Sequence, residues 1–239
     1  MKIHQILTGL APLLIFVKAL PNTPGPAGRA CPVPQAGECM KPMTADGKKT
    51  IYSYANCGQL FCDTAADGGG WIIFQRRTFK DVYFNKTWNE FKTGFGTYCT
   101  DFWLGLETIS QMTNQNDYQM RIDLQKGSNI NYAVYNTFKV APASQKYKLT
   151  IGDYSGNAGN DFISHNNAMF STKDMDNDGS VDDNCAQFFN AGWWFTDCFS
   201  DNLNGDFLNS DWGMGVIWAP LMPDLEGSLD WVEMKMRKK

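Results

Sequence analysis

The stretch Asp174–Cys185, DMDNDGSVDDNC, puts five aspartates within ten residues, three of them alternating and followed directly by Gly179. In a helix–loop–helix calcium site, Asp174, Asp176, Asp178 and Gly179 would take loop positions 1, 3, 5 and 6, with Val181 at 8 and Asp182 at 9. Position 12 must close the shell with a bidentate carboxylate, and here it is Cys185. The flanks MFSTK and NCAQFF also lack helical periodicity. The loop is therefore read as part of another kind of domain, either as a cation site with fewer carboxylates or as an acidic turn binding nothing tightly.

Outward from this loop, residues 153–227 are rich in Gly, Asn and Asp and show no clear period, so something besides a core must hold them. Upstream, GGGWIIFQRR (68–77) reads as a glycine turn running into a strand. Thr87 with Glu90 forms a capping box for a short helix that Gly94 ends, and LGLETISQMTNQ (104–115) allows a second. Strand patterns follow at 118–124, 131–140 and 146–152. In the last run, LDWVEMKMR (229–237), Val232, Met234 and Met236 alternate onto one face. The expected class is α+β, with a central antiparallel sheet, short helices and a loop-rich calcium-binding subdomain.

Residues 1–19 read as a signal peptide: Lys2 and His4 precede an apolar run from Ile6 to Val17, and Val17-Lys18-Ala19 offers a cleavage point. That run is shorter than the roughly 20 residues a span needs, so no membrane insertion is expected, an uncleaved leader acting as anchor being the alternative. Residues 20–56 are a Cys/Pro-rich linker and the start of a divergent N-terminal part; Gly25 and Gly28 are too few for a collagen helix. Net charge is −4, and −6 without Lys2 and Lys18, with no basic cluster beyond Arg237-Lys238-Lys239, which excludes nucleic acid as a partner. Seven cysteines in an exported chain point to disulfides with one thiol left over. Asn85-Lys86-Thr87 is a glycosylation sequon, whereas Asn22-Thr23 is followed by Pro24.

The motifs DGGGWIIFQRR, FKTGFG, DFWLGLETI, HNNAMFSTKDMDND, NCAQFFNAGWW, SDNLNGDF and SLDWVEMKMR occur in that order. Together they resemble the fibrinogen C-terminal domain of ficolins, tachylectins, tenascins and angiopoietins, over residues 57–239. The resemblance implies a structural Ca2+ held by Asp176 and Asp178, with carbonyls of the following loop, Ser180 and Asp182, completing the shell. It implies a Cys185–Cys198 disulfide and a cis Asp197–Cys198 bond beside a small pocket for acetyl groups. Its matching positions are Phe189, Asp197, Cys198, Phe199 and Trp212, with a further aromatic of the lectin pocket falling near Leu225. Phe199 stands where lectins of the family usually carry His, removing a side-chain donor. The same residues could instead simply pack the loop region. The family's usual span favours Cys31 with Cys62, and Cys39 with Cys57 as an extra bond.

That pairing leaves Cys99, a candidate for joining chains into a homo-oligomer, with a buried free thiol, or Cys39 or Cys57 as the odd cysteine, as the alternatives. Catalysis is not expected: once the leader is removed His165 is the remaining histidine, and the dense carboxylates are committed to the cation loop. The reading is a secreted, extracellular, calcium-stabilised lectin for acetylated glycans in innate immunity. An adhesion or signalling ligand of a cell-surface receptor, using the same loops, is the alternative.

Overall fold

The computed structural model describes residues 49–54, 58–98 and 100–239. Its strands are β1 (Lys49–Tyr54), β2 (Gly58–Asp63), β3 (Trp71–Arg77), β4 (Phe95–Gly96), β5 (Phe102–Trp103), β6 (Tyr118–Lys126), β7 (Asn129–Val140), β8 (Leu149–Gly156), β9 (Asp201–Asn202), β10 (Ile217–Trp218) and β11 (Trp231–Lys238). The main sheet runs β1-β2-β3-β11-β6-β7-β8. Every pair in it is antiparallel. The last strand is thus inserted between β3 and β6, and the sheet is closed only when the chain's C-terminal segment is in place.

Period-two alternation decides which face each side chain takes. Val232, Met234 and Met236 of β11 are fully buried on the core face. They share it with Met120, Ile122 and Leu124 of β6 and with Phe74 of β3. The opposite face of β11 carries Glu233 and Lys235, which are also buried, at 0% and 1% exposure. Lys235 Nζ lies 2.7 Å from Asp63, 2.6 Å from Asp123 and 3.2 Å from Glu233. Arg76 faces Glu233 at 3.6 Å and Arg121 faces Asp123 at 2.7 Å. Burial alone would lower the Lys235 pKa, but Glu233, Asp123 and Asp63 hold it above the ordinary lysine value.

Helix α1 (Trp88–Thr93) starts with the expected capping box between Thr87 and Glu90 and stops at Gly94. Helix α2 (Leu106–Gln115) buries Leu106, Ile109 and Met112. The third strand pattern starts later than expected, at Leu149 instead of 146. Lys146 and Tyr147 take positive φ (55° and 49°) as they close a 3-10 turn over Ala143–Gln145. No helix among the described residues is long and apolar enough to cross a membrane.

The segment without sequence period is ordered by buried side chains that bond its backbone or reach from it to backbone just outside. Trp194 Nε1 donates to Tyr147 O and Trp218 Nε1 to Ala158 O, both at 2.8 Å. Gln75 Nε2 donates to Leu203 O at 2.8 Å, and Arg77 Nη1 to Gly205 O at 2.7 Å. Asn204 Nδ2 donates to Gly192 O at 2.8 Å. Such bonds satisfy loop carbonyls that a sheet ladder would otherwise have to satisfy.

Candidate functional site

The acidic loop divides its aspartates between two jobs. Asp174 Oδ1 accepts the Trp88 N–H at 2.9 Å and the Thr172 hydroxyl at 2.8 Å, so this carboxylate turns toward the start of α1. Asn177 anchors the loop, donating its N–H to Ser171 Oγ and its amide to Phe170 O, both at 2.9 Å. Asp176 Oδ1 accepts the Asp178 N–H at 3.2 Å. Asp178 accepts Ser180 N–H at 3.0 Å through Oδ1 and Cys185 N–H at 2.9 Å through Oδ2. Burial raises the Asp178 pKa, the neighbouring Asp176 carboxylate adds to this, and the two backbone donors oppose it.

Neither Asp176 nor Asp178 has a lysine or arginine partner among the described residues. Two carboxylates side by side without a counter-ion fit a hard divalent cation. No group of three or more His, Cys, Asp or Glu side chains that could hold a metal ion occurs among the described residues. A shell here must therefore be completed by carbonyls and water, for which half-buried Ser180 and exposed Asp182 lie next in the chain.

Asn184 caps helix α3 (Cys185–Phe188) by accepting the Gln187 N–H at 2.8 Å. Cys185 is joined to Cys198 by a disulfide, and the Asp197–Cys198 bond is cis, both as the resemblance implies. Thr196 ties the disulfide loop to the acidic one: its carbonyl accepts the Gly179 N–H at 2.8 Å, while its own N–H donates to Cys198 O at 2.7 Å. The backbone N–H groups of Cys198 and Phe199 donate to no acceptor among the described residues.

Phe189, Phe199 and Trp212 form a ring cluster, Phe199 carrying one of those two donors. Phe189 and Phe199 meet edge to face at 4.7 Å, and Trp212 stands 6.2 Å from Phe189. Phe189 is only 5% exposed and also touches Phe195 and Phe188, so it is a core ring as much as a wall. Phe199 is half-buried, and Asp197 is exposed. Phe188 and Trp212 are exposed by 63% and 56%. Gly213, at φ 69°, lets its backbone pass under the rings, since a Cβ there would lie 2.7 Å from Phe189 Cε1. Its N–H donates to Leu225 O at 2.7 Å, which brings Leu225 to the same corner.

His165 is structural. It is fully buried, its Nε2 accepts the Asp201 N–H at 3.2 Å, and its Nδ1 lies 2.8 Å from Trp194 O. Burial lowers its pKa to about 4, so it is neutral and donates from Nδ1. Asp201 is fully buried too; burial and the nearby Asp161 raise its pKa to about 8, against the Ala219 N–H bond. Nothing in the residue pattern flagged Asp201, because only tertiary packing makes it unusual.

Asn85 lies half-buried, with Nδ2 donating to Asn190 Oδ1 at 2.9 Å. Cys62 is disulfide-bonded, but its partner is not among the described residues, and neither are Cys31, Cys39, Cys57 or Cys99.

Residues 38–239 match the family model described as fibrinogen beta and gamma chains, C-terminal globular domain. The chain is 40% identical over 201 residues to tenascin-R of Gallus gallus, covering 82% of this chain and 15% of that protein. It is likewise 40% identical over 209 residues to fibrinogen C domain-containing protein 1 of Xenopus tropicalis, covering 83% of this chain and 45% of that one. The chain thus spans less than half the length of these curated relatives. The fibrinogen-like globe domain of human ANGPTL2 superposes with a TM-score of 0.75 at 36% identity, over 80% of this chain and 93% of that one.

Proposed function

The chain belongs to the fibrinogen C-terminal globular domain family, a non-enzymatic family, and on that premise we propose that it is a secreted recognition domain for acetylated groups on glycans. The observation that carries this reading is the packing of Phe199 with Phe189, and of Phe189 with Trp212, together with the N–H groups of Cys198 and Phe199, which find no acceptor among the described residues. An acetyl group needs that pairing: apolar contact for its methyl and aimed donors for its carbonyl. Asp197, which precedes Cys198, is exposed, and its carboxylate can take sugar hydroxyls.

Calcium is the proposed structural cofactor, held by Asp176 and Asp178 with the carbonyls of Ser180 and Asp182. Its contribution is to neutralise the paired carboxylates and fix the loop that hydrogen-bonds Thr196. Secretion is supported by the leader-like first 19 residues and by the Cys185–Cys198 disulfide, since such bonds persist in oxidising compartments. In that setting Asn85 is a proposed glycan acceptor, Cys99 a proposed inter-chain link, and microbial or host surface glycans the proposed targets in innate immunity.

Exposed Phe188 and Trp212 favour a second reading, in which the same surface meets a protein receptor, because aromatic anchors of this kind suit protein interfaces. Retention on chitin but not on its deacetylated form is expected of an acetyl lectin. Equal retention on both, or on neither, supports the receptor reading.

A further inference from the structure

We propose that Asn85 is a positioning residue for the aromatic loop, and that residues 85–88 brace the acidic and aromatic loops against each other. Asn85 Nδ2 donates to Asn190 Oδ1 at 2.9 Å. Asn190 directly follows Phe189 and holds a positive φ of 52°. Lys173, just ahead of the acidic loop, donates from Nζ to Asn85 O at 3.0 Å. Three residues after Asn85, the Trp88 N–H donates to Asp174 at 2.9 Å. One four-residue segment therefore grips the entry of the acidic loop at two points and the exit of the aromatic pair at a third.

The chemistry explains why a side-chain amide serves here. A non-glycine residue at positive φ is unfavourable in isolation, and Asn tolerates it best when its own amide has a fixed partner. Asn85 supplies that partner from outside the loop. Fixing Asn190 sets where the chain leaves Phe189, and hence how exposed Phe188 is held against the buried Phe189 ring, 4.8 Å away. The positioning role does not depend on what the rings recognise; only its effect on affinity rests on the acetyl-lectin reading. Nδ2 is also the atom a glycan would occupy, so the test must separate the amide from the sequon.

The experiment compares wild type, Asn85→Leu, Asn190→Ala, the double variant and Thr87→Asn in the full chain. Thr87→Asn removes the sequon while keeping Asn85, a good helix cap and a neutral donor for Glu90. Two readouts are taken: amide exchange of residues 185–191, and affinity for N-acetylglucosamine coupled to albumin. The loop amides of Phe188, Phe189 and Ala191 bond back to Asn184, Cys185 and Ala186 and report directly on its order. Asn85→Leu is expected to speed their exchange by about tenfold, the order for one part-buried hydrogen bond, with a similar loss of affinity. The double variant is expected to be no worse than the worse single one, the signature of a shared pair, and Thr87→Asn to match wild type. Unchanged exchange in Asn85→Leu, additive effects in the double variant, or an Asn85-like loss in Thr87→Asn would each overturn the proposal. If wild type ignores the sugar conjugate, the lectin reading fails while the exchange data still decide the brace.

Discussion

Asp178 Oδ2 accepts the Cys185 N–H at 2.9 Å, so the second carboxylate of the acidic loop is hydrogen-bonded to the residue that opens the disulfide loop. The Gly179 N–H bond to Thr196 O, at 2.8 Å, makes a second link one residue further along. The acidic loop and the disulfide loop are thus one hydrogen-bonded unit, and the aspartates of the acidic loop should not be interchangeable.

Their unequal roles give the first prediction. Asp176→Ala should lower the melting temperature in calcium and change little in chelator, because a metal stabilises only the state that binds it. Asp178→Ala should lose stability in both, since it also satisfies two backbone N–H groups. Asp174→Ala should cost about 1–2 kcal/mol regardless of calcium, the value of a lost helix-start acceptor. Thermal melts of the three variants with and without chelator check the pattern, and equal calcium-dependent losses would restore the helix–loop–helix shell.

The second concerns pH. Asp201 has a folded pKa raised by burial to about 8, so the folded state keeps a proton that the unfolded chain gives up near its ordinary value of 3.8. Its contribution is fully present below that ordinary value and is lost as pH rises toward 8, by about 1.4 kcal/mol per pH unit inside the window. Asp201→Asn should flatten this part of the profile, and its stability relative to wild type should rise between pH 5 and about 8. Denaturant melts across that range measure the difference; parallel curves would contradict the assignment.

A third follows from Lys235. Replacing it with Met leaves Asp63, Asp123 and Glu233 facing one another, and removal of one member of a buried ion cluster costs about 3–5 kcal/mol. Asp63→Asn should cost clearly less, because Asp123 and Glu233 still hold the ammonium. Urea denaturation of both variants ranks them.

The fourth separates packing from recognition. Phe189→Ala should cost about 3–5 kcal/mol as a core deletion, so a loss of binding there says nothing about a pocket. Trp212→Ala, at a ring 56% exposed, should leave the melting temperature nearly unchanged while weakening retention on acetylated glycans. Phe199→His adds a donor beside the two free N–H groups and should strengthen it. If neither changes retention, the corner is packing alone.

What the sequence revealed followed from local rules. The capping box at Thr87 and the core face of Val232, Met234 and Met236 both depend on residues a few positions apart. What it concealed depends on distant pairings. The outward face of β11 reads as ordinary polar alternation, yet Lys235 is buried because Asp63 and Asp123 arrive from β2 and β6. The two-residue strands β9 and β10 have no period to detect. Asn85 carries a recognisable sequon, but its bond to Asn190 spans 105 residues and leaves no local mark.

The most direct test of the calcium-supported acetyl site is retention of wild-type protein on immobilised N-acetylglucosamine in calcium, followed by separate elution with free acetate and with chelator. Retention released by either agent is the expected result; retention that neither disturbs, or no retention at all, would contradict it.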